Sequence, residues 1–298
     1  MEQEKKKLVA IVNPYSGTSS KRRVPAIIEN TIDHDRFDVE IIVVGPDDRV
    51  TELARRAADR GAYGVIAVGG DGTINGAATA LKDTGVALGV VPCGSGNGLA
   101  RHLGLPLSIK RSLEVINRDV VEEYDYCKVN DDTFVCTCGM GFDAAVAYNF
   151  AAKSTRGALT YVRTALQVYV NFKPSHYVLE FDGQRIEEDA FVIACANAAQ
   201  YGNNAFIAPR ASMQDGLLDI TVLHPFRRIE SPLLGLALFT RSIDRNTHAT
   251  TYRTRRVVIT RENEGPMHLD GEPMTMPARL DVSCHPGGMR IFSPTNRK

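Results

Sequence analysis

Between Leu8 and about Asp119 the apolar residues gather in short runs separated by stretches of helical period. Leu8 to Val12, Val65 to Val68 and Val86 to Val91 have the length and β-branching of strands buried on both faces, and Phe37 to Val44 reads as another. The intervening pattern is helical around Val24 to Asn30, and Val50, Leu53, Ala54 and Ala57 share a face that stops at Gly61. Ile74, Ala77, Ala78 and Leu81 recur at the same spacing. Strands alternating with helices predict a parallel sheet with right-handed crossovers, in which ligands bind beyond the carboxyl ends of the strands.

After Asp119 the pattern becomes one of hairpins. Tyr124 to Val129 and Thr133 to Cys138 flank Asn130-Asp131-Asp132, Tyr177 to Phe181 and Arg185 to Glu188 flank Asp182-Gly183, and Met267 to Leu269 lead into Asp270-Gly271. Leu217 to Leu223, Tyr252 to Thr260 and Ala278 to Cys284 add further strands, so this half is predicted to be mostly antiparallel. Two helical passages interrupt it, one from Gly157 and one from Phe226, both unusually apolar for surface helices; Pro232 should start or kink the second. They read either as core packing or as the lining of an apolar groove or a rest on a membrane surface. The change of pattern divides the chain into residues 1–123, on which 286–298 can pack back, and residues 124–285.

The strand ends carry the chemistry. After Val68 the chain breaks into Gly69, Gly70, Asp71, Gly72 and Thr73, and the loops Asn13 to Gly17 and Gly94 to Asn97 also leave strand ends. Glycine lets backbone approach a ligand closely, successive N–H groups form anion-binding concavities, and a helix N-terminus adds partial positive charge, so these turns suit phosphate. Asp71 fits poorly there unless a divalent cation intervenes or it takes a proton from an attacking hydroxyl. The alternative is that it only caps the helix starting at Thr73 or Ile74.

Composition narrows this little. The 298 residues are 44% apolar, enough for two cores, and 35 basic against 35 acidic residues leave no net charge to steer the protein to nucleic acid. No nucleic-acid partner is expected, and binding has to be local. Six cysteines show no repeated metal-ligand spacing; Cys136 and Cys138, two apart on a predicted strand, read as same-face packing residues. MEQEKKK is followed only by a strand-length apolar run, which predicts no signal peptide, and LLGLALF is too short to span a bilayer. A reduced, cytoplasmic location is expected.

VNPYSG, AVGGDGTING, VVPCGSGNGLARHLGLP and the late HLDGEP stand in this order, and together they resemble the diacylglycerol kinase catalytic-domain family, which includes bacterial lipid kinases and sphingosine kinases. NAD kinases and phosphofructokinases carry turns like GGDGT, but the second glycine loop and the order of motifs set this family apart. The resemblance implies an α/β fold: a Rossmann-like parallel-sheet nucleotide domain of the NAD kinase/diacylglycerol kinase-like type, followed by a mainly antiparallel β-sandwich domain that shapes the lipid site. It implies ATP bound by Asn13, Ser16 and Gly17, by Gly69, Gly70, Gly72 and Thr73, and by Gly94, Ser95 and Asn97. It places Mg²⁺ on the Asp215 carboxylate with the main-chain oxygens of Ser212 and Leu217, which is oxygen ligation suited to a hard cation. The catalytic base falls on Glu272 in the Asp-Gly-Glu turn or on Asp71, and Asp143 lies near a carboxylate that orients the lipid head group in sphingosine kinases. Asp143 reads equally as a cap for a helix around Ala144 to Tyr148.

Two departures stand out. Gly98 occupies the place where bacterial relatives usually carry an Asp that joins the GGDGT carboxylate in a metal and water network, and Gly45 stands where a nucleotide-touching Thr is usual. Without that neighbouring acid, Asp71 is expected to act directly on the substrate hydroxyl. The implied activity is transfer of the γ-phosphoryl group of ATP to a lipid hydroxyl, diacylglycerol-like or of a sphingoid base, with Lys21, Arg22 or Arg101 offsetting developing charge. The lipid would come from a membrane by transient contact at its inner face, with a homodimer left open. The rival readings are a soluble-substrate kinase of the NAD kinase type and a catalytically silent nucleotide-binding protein.

Overall fold

The computed structural model describes residues 4–15, 22–153 and 158–294. The chain forms two compact units, one made by the chain up to Tyr124 with the segment from Gly287, the other by Asp125–Pro286. The first contains β1 (Lys6–Val12), α1 (Val24–Thr31), β2 (Phe37–Val43), α2 (Val50–Asp59), β3 (Gly64–Gly69), α3 (Asp71–Leu81), β4 (Ala87–Pro92), α4 (Gly98–His102) and α5 (Ile109–Asn117). There follow β5 (Val121–Val129), β6 (Asp132–Phe134), β7 (Thr137–Gly141), α6 (Phe142–Ala151), α7 (Ala158–Asn171), β8 (Ser175–Phe181), β9 (Gln184–Ala190) and β10 (Val192–Ala196). The chain closes with β11 (Leu218–Leu223), α8 (Ser231–Phe239), β12 (Ala249–Thr254), β13 (Arg256–Arg261), β14 (Gly265–Leu269), β15 (Glu272–Met276) and the long β16 (Arg279–Phe292).

In the first unit β2, β1, β3 and β4 lie side by side and parallel, with Leu8 opposite Gly64 and Gly64 opposite Ala87. The end of β16 joins β4 in parallel through Arg290 and Ile291. β3 and β4 are buried along their whole length, as continuous apolar runs require. Ile66, Val68 and Val91 pack with Val24 and Ile28 of α1 and with Leu113 and Ile116 of α5. Each such side chain contributes roughly 1.5–3 kcal/mol by leaving water. All three glycine-containing loops therefore leave the carboxyl edge of one parallel sheet, on either side of the point where the order turns from β1 toward β2 and toward β3.

The second unit is a two-layer antiparallel sandwich. One sheet runs β12-β11-β10-β7-β14-β15; the other is built from the first part of β16 with β13, β8 and β9, and carries the β5–β6 hairpin. Met140, Ile193, Ile220 and Met267 from the first sheet meet Leu179, Val257, Ile259 and Leu280 from the other in one apolar core. Two expected strands are split. The stretch from Thr133 to Cys138 divides into β6 and β7 because the Asp270 carboxylate accepts the N–H groups of Val135, Cys136 and Thr137, which removes them from a strand ladder. Cys136 thus lies off the strand and does not share a face with Cys138. Tyr252 to Thr260 breaks at Arg255, where the chain crosses from one sheet to the other. Pro232 starts α8 in its first turn and leaves the helix unkinked. Among the described residues no helix is long and apolar enough to cross a membrane.

Candidate functional site

In the first unit the loops after β1, β3 and β4 are joined to one another. Asn13 Nδ2 donates to Thr73 Oγ1 at 3.0 Å, while Asn13 Oδ1 accepts the Tyr15 N–H at 3.0 Å. The Cys93 N–H donates to the Gly69 carbonyl at 2.6 Å, and a Cβ on Gly94 would come within 2.8 Å of the Gly70 Cα, so only glycine permits this approach of two main chains. Ser95 is exposed at the tip of its loop and Gly72 at the start of α3, beside the half-buried Gly70. Ser16, Gly17 and Lys21 lie outside the described residues.

Asp71 opens α3, with Gly70 as the N-cap and no side-chain cap, so the capping role is set aside. Its carboxylate reaches the second glycine loop instead. Oδ2 accepts the Asn97 N–H at 3.0 Å and Oδ1 the Gly98 N–H at 2.7 Å. A Cβ on Gly96 would stand 2.9 Å from Asp71 Oδ2. Asn97 adopts the left-handed conformation, φ 51°, and folds its side chain back on Gly94, accepting its N–H and donating to its carbonyl, both at 2.9 Å. Arg101 Nε donates to the Gly96 carbonyl at 3.0 Å. Asp71 is therefore not solitary: Gly98, in place of an acid, supplies a backbone donor. The two N–H groups at the start of α4 are engaged by this carboxylate, and about half of its lone-pair sites remain for a proton or a ligand. At the edge of the same sheet the Gly45 N–H donates to Asp48 Oδ2 at 2.8 Å.

In the second unit Asp143 is the second residue of α6, whose N-cap is Gly141, and it does not cap that helix. Its Oδ1 accepts the Ala144 N–H at 2.7 Å; Oδ2 accepts from the Tyr201 hydroxyl at 2.9 Å and faces His268 Nε2 at 3.1 Å. His268 is buried on β14, and its Nδ1 accepts the Gly271 N–H at 3.4 Å, which puts the ring proton on the nitrogen facing Asp143. The HLDGEP turn is thus fixed at two points, by His268 and by Asp270. Burial pushes the Asp270 carboxyl above the usual range, although three N–H donors and His268 pull the other way. Glu272 follows the turn as the exposed first residue of β15. Arg261 closes the open end of the β14–β15 hairpin, donating to the carbonyls of Gly265 and Met276 at 2.7 Å each.

Ser212, Asp215 and Leu217 lie in the loop that leads into β11. Asp215 Oδ1 accepts the Leu217 N–H at 3.1 Å, Oδ2 is paired with Arg253, and Ser212 Oγ accepts the Gln214 N–H at 3.3 Å. Arg253 Nε also lies 3.4 Å from Asp219, a buried carboxylate whose Oδ2 has no hydrogen-bond partner. Burial raises the Asp219 pKa and the neighbouring Asp215 raises it further, against the pull of Arg253. Among the described residues no three His, Cys, Asp or Glu side chains cluster as a metal centre. His268 and Asp270 stand inside a motif quoted from the sequence but carry no chemical signal until the turn is folded. Tyr201, Arg253 and Asp219 come from separate parts of the chain and could not have been paired from one sequence.

An α/β unit with glycine loops at its carboxyl edge is joined in sequence to a β-sandwich, and a family model matches each part. Residues 7–129 match the diacylglycerol kinase catalytic domain and residues 136–293 the YegS C-terminal NAD kinase beta sandwich-like domain. The chain belongs to the diacylglycerol kinase/YegS-like family of lipid kinases, and family membership makes it an ATP-using kinase. It is similar to a diacylglycerol kinase of Mycobacterium tuberculosis, 28% identical over 97% of this chain and 95% of that one, and to a "Probable lipid kinase YegS-like" of Chromohalobacter salexigens, 30% identical over 81% and 79%. A crystal structure of a diacylglycerol kinase from Bacillus anthracis shares the fold with a TM-score of 0.73 at 19% identity, covering 98% of each chain. An NAD kinase from Archaeoglobus fulgidus in complex with ATP shares it more distantly, at 0.55 and 14%, covering 97% of this chain and 95% of that one.

Proposed function

We propose that the protein transfers the γ-phosphoryl group of ATP to the hydroxyl of a membrane-derived lipid, with Asp71 as the base. The observation that carries this reading is the clamp on Asp71. Two loops that each leave a parallel strand meet at backbone distance, and two N–H donors fix the carboxylate between them. Phosphoryl transfer needs positioning, charge neutralisation and a proton acceptor, with little covalent chemistry from the protein. Asn13, Gly69, Gly70, Gly72, Thr73, Gly94 and Ser95 bind the nucleotide on this reading, and Asn97 keeps the second loop in shape. Asp71 takes the proton of the lipid hydroxyl as its oxygen bonds to the γ-phosphorus and ADP departs. Arg101, fastened to the Gly96 carbonyl, offsets negative charge nearby.

Asp215 and the main-chain oxygens of Ser212 and Leu217 would hold Mg²⁺. The donor set is all oxygen, as a hard cation takes, and Asp219 Oδ2 is a buried carboxylate oxygen beside it with unclaimed lone pairs. Mg²⁺ bound there would supply positive charge, in competition with Arg253 for the Asp215 carboxylate. Asp215→Ala is expected to weaken the divalent-ion dependence of activity; an unchanged dependence would remove Asp215 from the site.

The testing experiment supplies labelled ATP with a mixed lipid extract in one reaction and NAD in another. Label in a chain-bearing lipid, identified by mass, is the expected result and names the acceptor. Label on NAD would overturn the lipid reading in favour of the soluble-substrate kinase, and ATP binding with label on neither would favour a catalytically silent protein. Glu272→Gln tests the other base: an unchanged rate leaves the proton with Asp71.

A further inference from the structure

Large apolar side chains on α7 and α8 face solvent on their outer sides while their inner sides are packed. On α7, Val162, Leu166 and Val170 are each more than half exposed and recur every four residues, so they form one stripe. On the 3₁₀ turn at 228–230 and on α8, Ile229, Leu233, Leu236 and Phe239 are also more than half exposed. The inner sides converge on one apolar cluster: Tyr169 of α7 and Phe172 just past its end, Leu234 and Ala237 of α8, with Phe191 and Phe226. Arg228 Nη2 donates to the Val170 carbonyl at 2.9 Å and Tyr169 stacks on Phe226, which makes the two stripes neighbours. α8 has no charged residue in nine positions. A helix that is apolar on every side and yet half exposed is out of place against water.

The charges around the stripes have one dominant sign. Residues 158–173 and 226–245 contain Arg163, Lys173, Arg227, Arg228, Arg241 and Arg245 against Glu230 and Asp244 alone. Both acids are engaged: Glu230 accepts the Arg227 N–H and pairs with His248, and Asp244 pairs with Arg210 at 2.8 Å. In a chain of zero net charge this is a local excess of cations placed around apolar side chains. An apolar face rimmed by Lys and Arg matches a bilayer of anionic phospholipid, where acyl chains receive the apolar groups and phosphates the cations. A second copy of the chain fits less well, since a two-fold interface sets the same patch against itself and opposes the cations.

We propose that the outer faces of α7 and α8 are the surface by which this protein docks on an anionic lipid bilayer. The inference rests on the lipid-kinase reading for its purpose, because an acceptor with long chains stays in a membrane. The helices lie in the interface without spanning it.

The experiment is co-sedimentation of the full chain with phosphatidylcholine vesicles, with and without phosphatidylglycerol, without ATP. Parent protein is expected to bind the anionic vesicles at least tenfold more tightly, and added salt should weaken that binding. Leu236→Glu with Phe239→Glu should abolish it, and Arg163→Gln with Arg245→Gln should weaken it severalfold, both with the parental thermal midpoint. Because the altered side chains face solvent, turnover of a short-chain acceptor dissolved as monomers should be unchanged in both variants. Equal binding by parent and variants, or no preference for the anionic vesicles, would overturn the proposal. So would a parent that is dimeric in solution, through a face the Glu variants disrupt, with unaltered vesicle binding. Vesicle binding that fails while the short-chain lipid is still phosphorylated sinks the docking surface alone; intact binding with no phosphorylation of any lipid sinks the kinase reading alone.

Discussion

A carboxylate held by two backbone N–H groups of a neighbouring loop keeps its orientation as long as that loop keeps its shape. At Asp71 this orientation depends on Gly96 having no Cβ, so two substitutions test one geometry. Asp71→Asn keeps the shape but turns an amide donor toward one of the two N–H groups. It is expected to cost about 1–3 kcal/mol of stability and to lower turnover by about 10²–10⁴-fold, measured by denaturant titration and by lipid phosphorylation. Undiminished turnover would remove Asp71 from the chemistry. Gly96→Ala leaves the carboxylate in place chemically but presses on Oδ2, so it should lower turnover with the fold intact. The cysteines are a separate residue-scale matter: five are buried, and burial pushes the Cys127 and Cys138 thiols well up. A thiol reagent should label only the half-exposed Cys93 in the native protein and all six in denaturant; rapid native labelling of more than one would contradict the packing.

At the scale of elements, the HLDGEP hairpin works as a unit. His268 links its turn to Asp143 and Tyr201, while Asp270 ties the same turn to the main chain between β6 and β7. Removing the Asp270 carboxylate leaves three N–H groups without their acceptor, so Asp270→Ala should destabilise by about 1–3 kcal/mol or more, read from a denaturation midpoint, and should also lower activity if Glu272 takes part. What the sequence revealed at this scale follows from physics. Parallel strands buried on both faces and turns such as Asp182-Gly183, where both residues have positive φ, announce themselves locally. The breaks at Val135 and Arg255 depend on a distant carboxylate and on a change of sheet, and neither leaves a local mark. The carboxyl-edge loops were legible because a Cβ at Gly94 or Gly96 would strike the neighbouring loop, so the close approach leaves glycines in the sequence. The partners of Asp71 were not, because they are backbone N–H groups, which every residue but proline possesses.

At the scale of the whole molecule, the two edges of the parallel sheet do different work. The carboxyl edge carries the glycine loops, while the amino edge is tied by Asp119, whose largely covered carboxylate meets Lys6 at the start of β1, Arg36 before β2 at 3.0 Å and the Tyr63 hydroxyl before β3 at 2.7 Å. Burial alone would raise the Asp119 pKa, but Lys6, Tyr63 and Arg36 together hold it below the ordinary aspartate value of 3.8. A carboxyl whose pKa is lower in the folded state stabilises above its unfolded value, and that contribution is lost as pH falls through the folded one. Asp119→Asn should therefore lower the thermal midpoint at pH 7, and the gap from the parent should close as pH falls below about 4. Because Asp119 lies at the edge remote from the glycine loops, turnover at a temperature where both proteins are folded should be equal. A midpoint difference independent of pH would mean the substitution acts through packing rather than charge. A loss of turnover in the folded variant would show that the amino edge reaches the chemistry after all.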